Sequence, residues 1–513
     1  MNNSSEEFKC VAELFAQVEK EIAEISERES LDDIDLFDEN DCVSPIKYTP
    51  KEEAVLVKKY DLHVVMFLCI SYVVTCLQKF NIGNAAAAGL LPDLGMSDSE
   101  YQMVLNAYFI GYILMQWSIL LWKALPPRYY ISAVMMIWGA LATYSSLVSS
   151  WTELLALRFL VGCLHGFFSS GIYFYLSFFY FRHEQAKRNG IFQASQPFSV
   201  AISGLLASAI ASRKAKSFAD WRLIFLVEGL PSVICGFASF FILVRNPNDA
   251  KFLTPREKAI ANARDEEKGV VPDNEGSSSW AIFNFKEMLE CLLTLKTWFP
   301  TLISLTNNVG LASLPIFMPV IVEGMGYQDV EAQSMVAPPY IVAVISMAIT
   351  CYVSDKVHLR GVFMISMSLL ACIGYLVLGL ITTPIIRYLA LYACATGIYT
   401  AHTINTTWMG DNQGSDTKKG SGYVILHAIG DLGTLIGTRL FSQTQAPQYL
   451  KGSLVCAGCF AISALIGAAN CIYLLCVNRR LDKKFRKGPY SVDERPATTR
   501  ISSDKHPHFR YIL

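Results

Sequence analysis

Residues 62–84 read LHVVMFLCISYVVTCLQKFNIGN, an apolar run whose one full charge is Lys79. A hydrocarbon core of about 30 Å takes roughly 20 mostly apolar residues as a helix, and a spanning helix satisfies its own backbone hydrogen bonds. The run therefore reads as a membrane span, and the chain repeats it. Comparable segments lie near 101–121, 130–150, 153–179, 190–211, 222–244, 298–320, 332–353, 361–381, 384–409, 420–441 and 453–476. Composition agrees: of 513 residues 52% are hydrophobic and 17% charged, with a mean hydropathy of +0.34, too apolar for a soluble domain of this length. The expected fold class is an all-α membrane protein with twelve transmembrane helices.

Twelve spans put both termini on one side, and basic residues choose it, since short cytoplasmic loops accumulate Lys and Arg. Lys123 and Arg128, Arg182, Lys187 and Arg188, Lys356 and Arg360, Lys418 and Lys419, and the run from Arg479 to Lys487 fall together. Arg213, Lys214, Lys216 and Arg222 fall on the other side and are outvoted. Both termini are thus expected in the cytoplasm.

The expected organisation is a cytoplasmic tail 1–60, a six-helix bundle 61–244, a cytoplasmic linker 245–297, a second six-helix bundle 298–477 and a cytoplasmic tail 478–513. The linker contains a Gly/Ser/Asp-rich stretch at 269–279. In the first tail Leu14, Phe15, Val18, Ile22 and Ile25 fall at helical spacing, a short helix or a solvated segment with transient helicity. No signal peptide is expected. A net charge of -1 gives no basic excess for nucleic acid, and fourteen scattered cysteines have neither metal-ligand nor disulfide spacing. No cofactor or metal is expected, and no nucleophile elbow, His-Glu-x-x-His or phosphate loop suggests an enzyme.

Several stretches resemble the major facilitator superfamily, and within it the fungal anion:cation symporter family, the branch of allantoate permease and of nicotinate and vitamin transporters. They are Asn81-Ile82-Gly83-Asn84-Ala85, Arg158-Phe159-Leu160-Val161-Gly162, Trp221 to Gly229, Pro315-Ile316-Phe317-Met318-Pro319, Pro338-Pro339-Tyr340, and Ser354-Asp355-Lys356 with Arg360-Gly361. The resemblance implies a 6+6 arrangement with a central cytoplasmic loop, a midplane site between halves that alternate in access, an anionic substrate and proton symport. It also implies two departures. The acid that usually precedes the first-helix cation is Gln78 here, before Lys79, and the Glu usual after the Arg-x-x-x-Gly element is His165.

Ionisable groups inside a bilayer are functional candidates by default. Lys79 either binds a substrate carboxylate or snorkels to a headgroup. Arg158 and His165, seven residues apart, share a helix face, as coupling groups or as packing groups. His427 and Asp431, at i and i+4 in the eleventh span, form either a proton site or a static pair. Asp431 is an added acid that takes over the missing one, sharing proton work with His165. Asn81, Gln193, Gln196, Asn307, Asn308, His402 and Asn405 are polar positions that orient a small solute or hold helices together. Tyr108, Tyr173, Tyr175 and Trp408 stack on substrate or pack the core, and Glu228 pairs with Arg222 or another cation. The sequon Asn405-Thr406-Thr407 falls inside a span and is expected to stay unmodified.

The functional expectation is a monomeric secondary transporter in the plasma membrane. It imports a small organic anion of the allantoate, nicotinate or other carboxylate vitamin, dipeptide or sulfonate type, with protons as the coupling ion. The alternative is a transporter-like nutrient sensor signalling through its cytoplasmic tails.

Overall fold

The computed structural model describes residues 48–484 and 510–512, apart from 170, 214–217, 245–248, 268–284, 327–330, 332–333, 358, 415 and 441–447. The candidate helix between Leu14 and Ile25 and the 269–279 stretch lie outside them. Among the described residues every regular element is helical. Each expected span overlaps a helix: α1 Met66–Ala87, α2 Asp98–Leu114, α3 Pro127–Tyr144, α4 Trp151–Ser169, α5 Arg182–Ala211, α6 Asp220–Ile242, α7 Leu295–Glu323, α8 Ala337–Val357, α9 Arg360–Leu380, α10 Pro384–Asp411, α11 Asp416–Gly430 with its continuation Leu432–Gly437, and α12 Leu450–Lys484.

Among the described residues nine helices, those holding α1, α3 to α9 and α12, are long and apolar enough to cross a membrane. The other three depart for local reasons. α2 has 17 residues before a 3-10 turn at Gln116–Leu120, α10 has 28 residues dotted with Thr, His and Asn, and α11 breaks at Asp431.

The helix holding α1 starts early, at Pro50, because Thr49 and Glu52 form a capping box with Pro at the first helical position. Helix α4 pauses at Gly171 and resumes as Ile172–Phe179. A side chain at Gly171 would collide with the Trp122 indole, so the glycine lets that ring lie against the backbone.

Helices α1 to α6 pack among themselves through α3 on α6, α2 on α4 and α1 on α5 and α6. Helices α7 to α12 pack through α9 on α10 and α12, α7 on α11 and α12, and α8 on α10. The two sets meet along α5 with α8 and α10, α1 with α7, and α2 with α11. The α7–α11 seam depends on small residues, which let backbones approach in a bilayer where apolar burial gives no drive. Gly433 and Gly437 sit directly against the carbonyls of Leu305 and Val309. Gly433→Ala is expected to destabilise the chain by about 1–3 kcal/mol, because the opposing atom is backbone and cannot yield. A thermal midpoint of the detergent-purified variant equal to the parent's would contradict that.

The end of the bundle that carries Pro50–Tyr60 and the end of α12, called here the linker face, is tied by ion pairs. A linker helix at Pro255–Glu267 supplies Arg264 to Glu184 (2.6 Å) and Glu53 (3.2 Å), and Glu257 to Lys59 (2.8 Å). A second, Phe285–Leu293, packs on α11, where Glu290 pairs with Lys418 at 3.1 Å. Arg188 forks onto both oxygens of Asp61 at 2.7 and 3.0 Å, and in the second set Arg360 bridges Asp355 (2.9 Å) and Asp411 (2.5 Å). At the opposite, far face, the Trp221 indole donates to Asp93.

Candidate functional site

Lys79 lies on α1 where that helix faces α2. Its ammonium sits over three rings, 5.3 Å from the centroid of Phe80, 5.5 Å from Phe109 and 5.2 Å from Tyr112. Aromatic faces hold a cation electrostatically without neutralising it. Among the described residues no carboxylate oxygen lies within ion-pair distance of it, while Asp431, His165, His402 and His427 are all within its electrostatic reach. The side chain points among these groups.

Asp431 stands across the interface at the break in α11. Its backbone N–H still closes a helical turn onto His427, but its carbonyl accepts from the Thr434 backbone and hydroxyl at 3.0 and 2.6 Å, so the helix changes course there. One carboxylate oxygen accepts from Asn308 Nδ2 at 2.8 Å and the other from Gln116 Nε2 at 3.3 Å. His427 Nδ1 is 3.8 Å away, too far for a hydrogen bond. The acid is thus held by α7 and by the 3-10 turn that follows α2.

The helices that bear or face this pair carry buried polar atoms with no partner among the described residues. They are both side-chain atoms of Asn307, Oδ1 of Asn308 and Asn405, Nδ1 of His402, Nε2 of His427 and Nε2 of Gln196. Buried polar groups are normally hydrogen-bonded, so such a set marks where water or solute completes the shell. Gln193 is committed: it accepts from Tyr173 (2.6 Å) and donates to Gln196 (2.9 Å). Tyr173 in turn stacks on Tyr423 and His427 of α11, joining the two sets of helices. Asn405 donates to the Pro300 carbonyl at 2.9 Å and is fully buried.

Three expected site residues are tied to partners within the first set of helices. Arg158 donates to the Gln78 carbonyl (2.9 Å) and to Asn81 Oδ1 (2.6 Å). Asn81 is therefore a ligand of Arg158 and a side-chain partner of Glu228, and Glu228 also accepts from Ser203 at 3.1 Å. The cation in electrostatic contact with Glu228 is Arg158; Arg222 reaches the Ser146 carbonyl instead. Gln78, at the position of the missing acid, turns to α6 and donates to the Glu228 carbonyl and Ser232. His165 makes its own hydrogen bond: its Nδ1 pairs with the Tyr108 hydroxyl at 2.8 Å and its ring stands edge-on to Trp138. Of the aromatics, Tyr108 thus supports His165, Tyr175 donates to the Val244 carbonyl, and Trp408 lies at the linker face.

Removing Arg158 would strand Glu228 without its cation. Arg158→Ala is expected to destabilise the chain by about 3–5 kcal/mol, the usual consequence of orphaning a buried charge. Adding Glu228→Gln should recover part of the folded yield in size-exclusion chromatography. A double variant no better than the single one would contradict the coupling of the two.

Residues missed in the sequence are Gln116, Tyr112 and Asp411. Gln116 was legible as an amide in an apolar span. Tyr112 repeats Tyr108 one helical turn on. The pairing of Asp411 with Arg360, distant in sequence, left no local signal.

Residues 68–438 match the Major Facilitator Superfamily, and the chain belongs to it. It is a multi-pass membrane transporter of that type. An uncharacterized transporter of Schizosaccharomyces pombe is 29% identical over 427 residues, covering 83% of this chain and 87% of that one. The high-affinity nicotinic acid transporter of Saccharomyces cerevisiae is 27% identical, covering 90% and 85%. Among solved structures, a proton:xylose symporter superposes with a TM-score of 0.60 at 14% identity, over 80% of this chain and 95% of that one. A bacterial homolog of the human lysosomal transporter Spinster gives 0.58 at 15% identity, over 80% and 97%. At such identities these likenesses concern the fold alone.

Proposed function

We propose that the chain imports a small organic anion coupled to protons, its two six-helix halves, 61–244 and 298–477, alternating access to a site between Lys79 and Asp431. The observation that carries this reading is the Lys79 ammonium, held over three rings and facing a set of buried polar atoms, with no carboxylate in ion-pair contact and no partners for those atoms among the described residues. A substrate carboxylate supplies the missing counter-charge, and Asn307, His402, His427 and Gln196 supply hydrogen bonds that orient its remainder.

Asp431 suits proton coupling because its partners can serve both protonation states. Ionised, the carboxylate accepts from Asn308 and Gln116. Protonated, it can donate to the Asn308 amide oxygen, which has no other partner among the described residues. A coupling group must differ in affinity between the two access states, and Asp431 lies at the α2–α11 contact between the two sets of helices, the seam that alternating access would rearrange. His165, tied to Tyr108 beside that seam, is the second group in the coupling.

The resemblance to the anion:cation symporters and the likeness to a nicotinic acid transporter favour a monocarboxylate substrate of vitamin size. We place the linker face in the cytoplasm, since the basic clusters gather there, in a monomer of the plasma membrane. Labelled nicotinate, ureido acids and dipeptides offered to cells expressing the chain, across external pH, test the reading. Concentrative uptake of at least one acid, stronger at low pH, supports it; uptake of neutral solutes alone overturns it.

A further inference from the structure

Beyond the transport site, the linker face holds a slot between the end of α10 and α12. Trp408 and Asn412 lie one helical turn apart at the end of α10, and Asn478 and Asp482 one turn apart on α12, so each helix presents two polar side chains on one face. Residues 510–512 run through that slot. Asn412 accepts from the Ile512 N–H at 2.8 Å and donates to the Ile512 carbonyl at 3.0 Å. The Trp408 indole donates to the same carbonyl at 2.7 Å.

One residue earlier, Asn478 repeats the pattern. It accepts from the Tyr511 N–H at 3.0 Å and donates to its carbonyl at 2.9 Å. Arg510 donates to Asp482 at 2.7 Å, and the Lys296 ammonium, at the start of α7, lies 5.2 Å from the Tyr511 ring centroid. Tyr511 also packs on the main apolar core.

A carboxamide carries one acceptor and two donors, so it can close a ring on the N–H and C=O of a single peptide residue, as a neighbouring strand would. Two such amides, from different helices, read two consecutive residues in register. Flanking them are an acid for a cationic side chain and a cation for an aromatic one. The slot therefore specifies both the extended backbone and the order of side-chain types.

We propose that this slot is a peptide-recognition site for an extended segment with a cationic residue followed by an aromatic one, occupied in cis by Arg510-Tyr511-Ile512. Its occupancy clasps α10, α12 and the start of α7 together at the linker face, beside the Arg360–Asp411 pair. Release of the segment frees the end of α10.

Hydrogen exchange on the full chain in nanodiscs, read at single-residue resolution, tests the site. The Tyr511 and Ile512 amides are expected to exchange at least about tenfold more slowly than in a free peptide of residues 504–513. Asn478→Ala should release Tyr511. Arg510→Glu, which alters the segment and leaves the helices untouched, should accelerate both amides. Wild-type exchange at the free-peptide rate would overturn the proposal. As a second arm, a fluorescent peptide of residues 504–513 should bind the full-length Arg510→Glu chain about tenfold more tightly than the wild type, whose slot is filled. Equal binding to the two would overturn recognition of the segment.

Discussion

Asp431→Asn is expected to abolish uptake of a labelled organic acid against its gradient while leaving downhill exchange at a substantial fraction of the parent rate. The substituted amide keeps the size of the carboxyl and can still meet Asn308 (2.8 Å in the parent) and Gln116 (3.3 Å), so the break in α11 and the α7–α11 seam should survive. What it loses is the ability to take a proton on one side and release it on the other. A ligand moves an alternating-access equilibrium only by its differential affinity for the two states. With one of the two coupling groups unable to titrate, the proton gradient can no longer be tied to the change of access. Counterflow of unlabelled against labelled substrate in proteoliposomes checks the spared half. Accumulation in the variant equal to the parent's would remove Asp431 from the coupling.

Lys79→Gln is expected to raise the half-saturating substrate concentration by about tenfold or more, since a hydrogen bond to a charged group contributes roughly 1.5–3 kcal/mol. Lys79→Arg should retain part of the affinity, because the charge stays over Phe80, Phe109 and Tyr112 while the geometry of its donors changes. The two variants separate charge from shape. Surface biotinylation confirms equal amounts at the membrane. Near-parent affinity in the Gln variant would mean that the ammonium faces no substrate anion.

Most of the fold is legible in the sequence because each span must bury its own backbone, and that requirement writes a long apolar run. The exceptions carry function. The α11 span reads as continuous, yet Asp431, between Gly430 and Gly433, divides it, because close approach to α7 and a carboxylate needing donors override helix propensity there. The early start at Pro50 was written in Thr49-Pro50-Lys51-Glu52, a capping signal in a stretch otherwise read as tail.

The site is only partly legible. Lys79 and Asp431 stand out as charges in apolar runs, and both lie at the interface between the two sets of helices. Arg158 and His165 share a helix face by spacing, but spacing does not say which neighbours that face meets. Asn81 and Gln78 take Arg158 toward α6, whereas Tyr108 and Trp138 enclose His165. The slot that holds residues 510–512 was invisible for the same reason: its asparagines lie on α12 and just beyond the end of α10, far apart in sequence.

The central claim is that Lys79 and Asp431 bind and drive a small organic anion. Its most direct measurement is uptake into proteoliposomes containing only the purified chain, with an imposed inward proton gradient and labelled nicotinate and other small carboxylates offered in turn. The expected result is accumulation of at least one carboxylate above equilibrium, collapsing with a protonophore and absent in Asp431→Asn. Transport indifferent to the proton gradient, or confined to uncharged solutes, would contradict it.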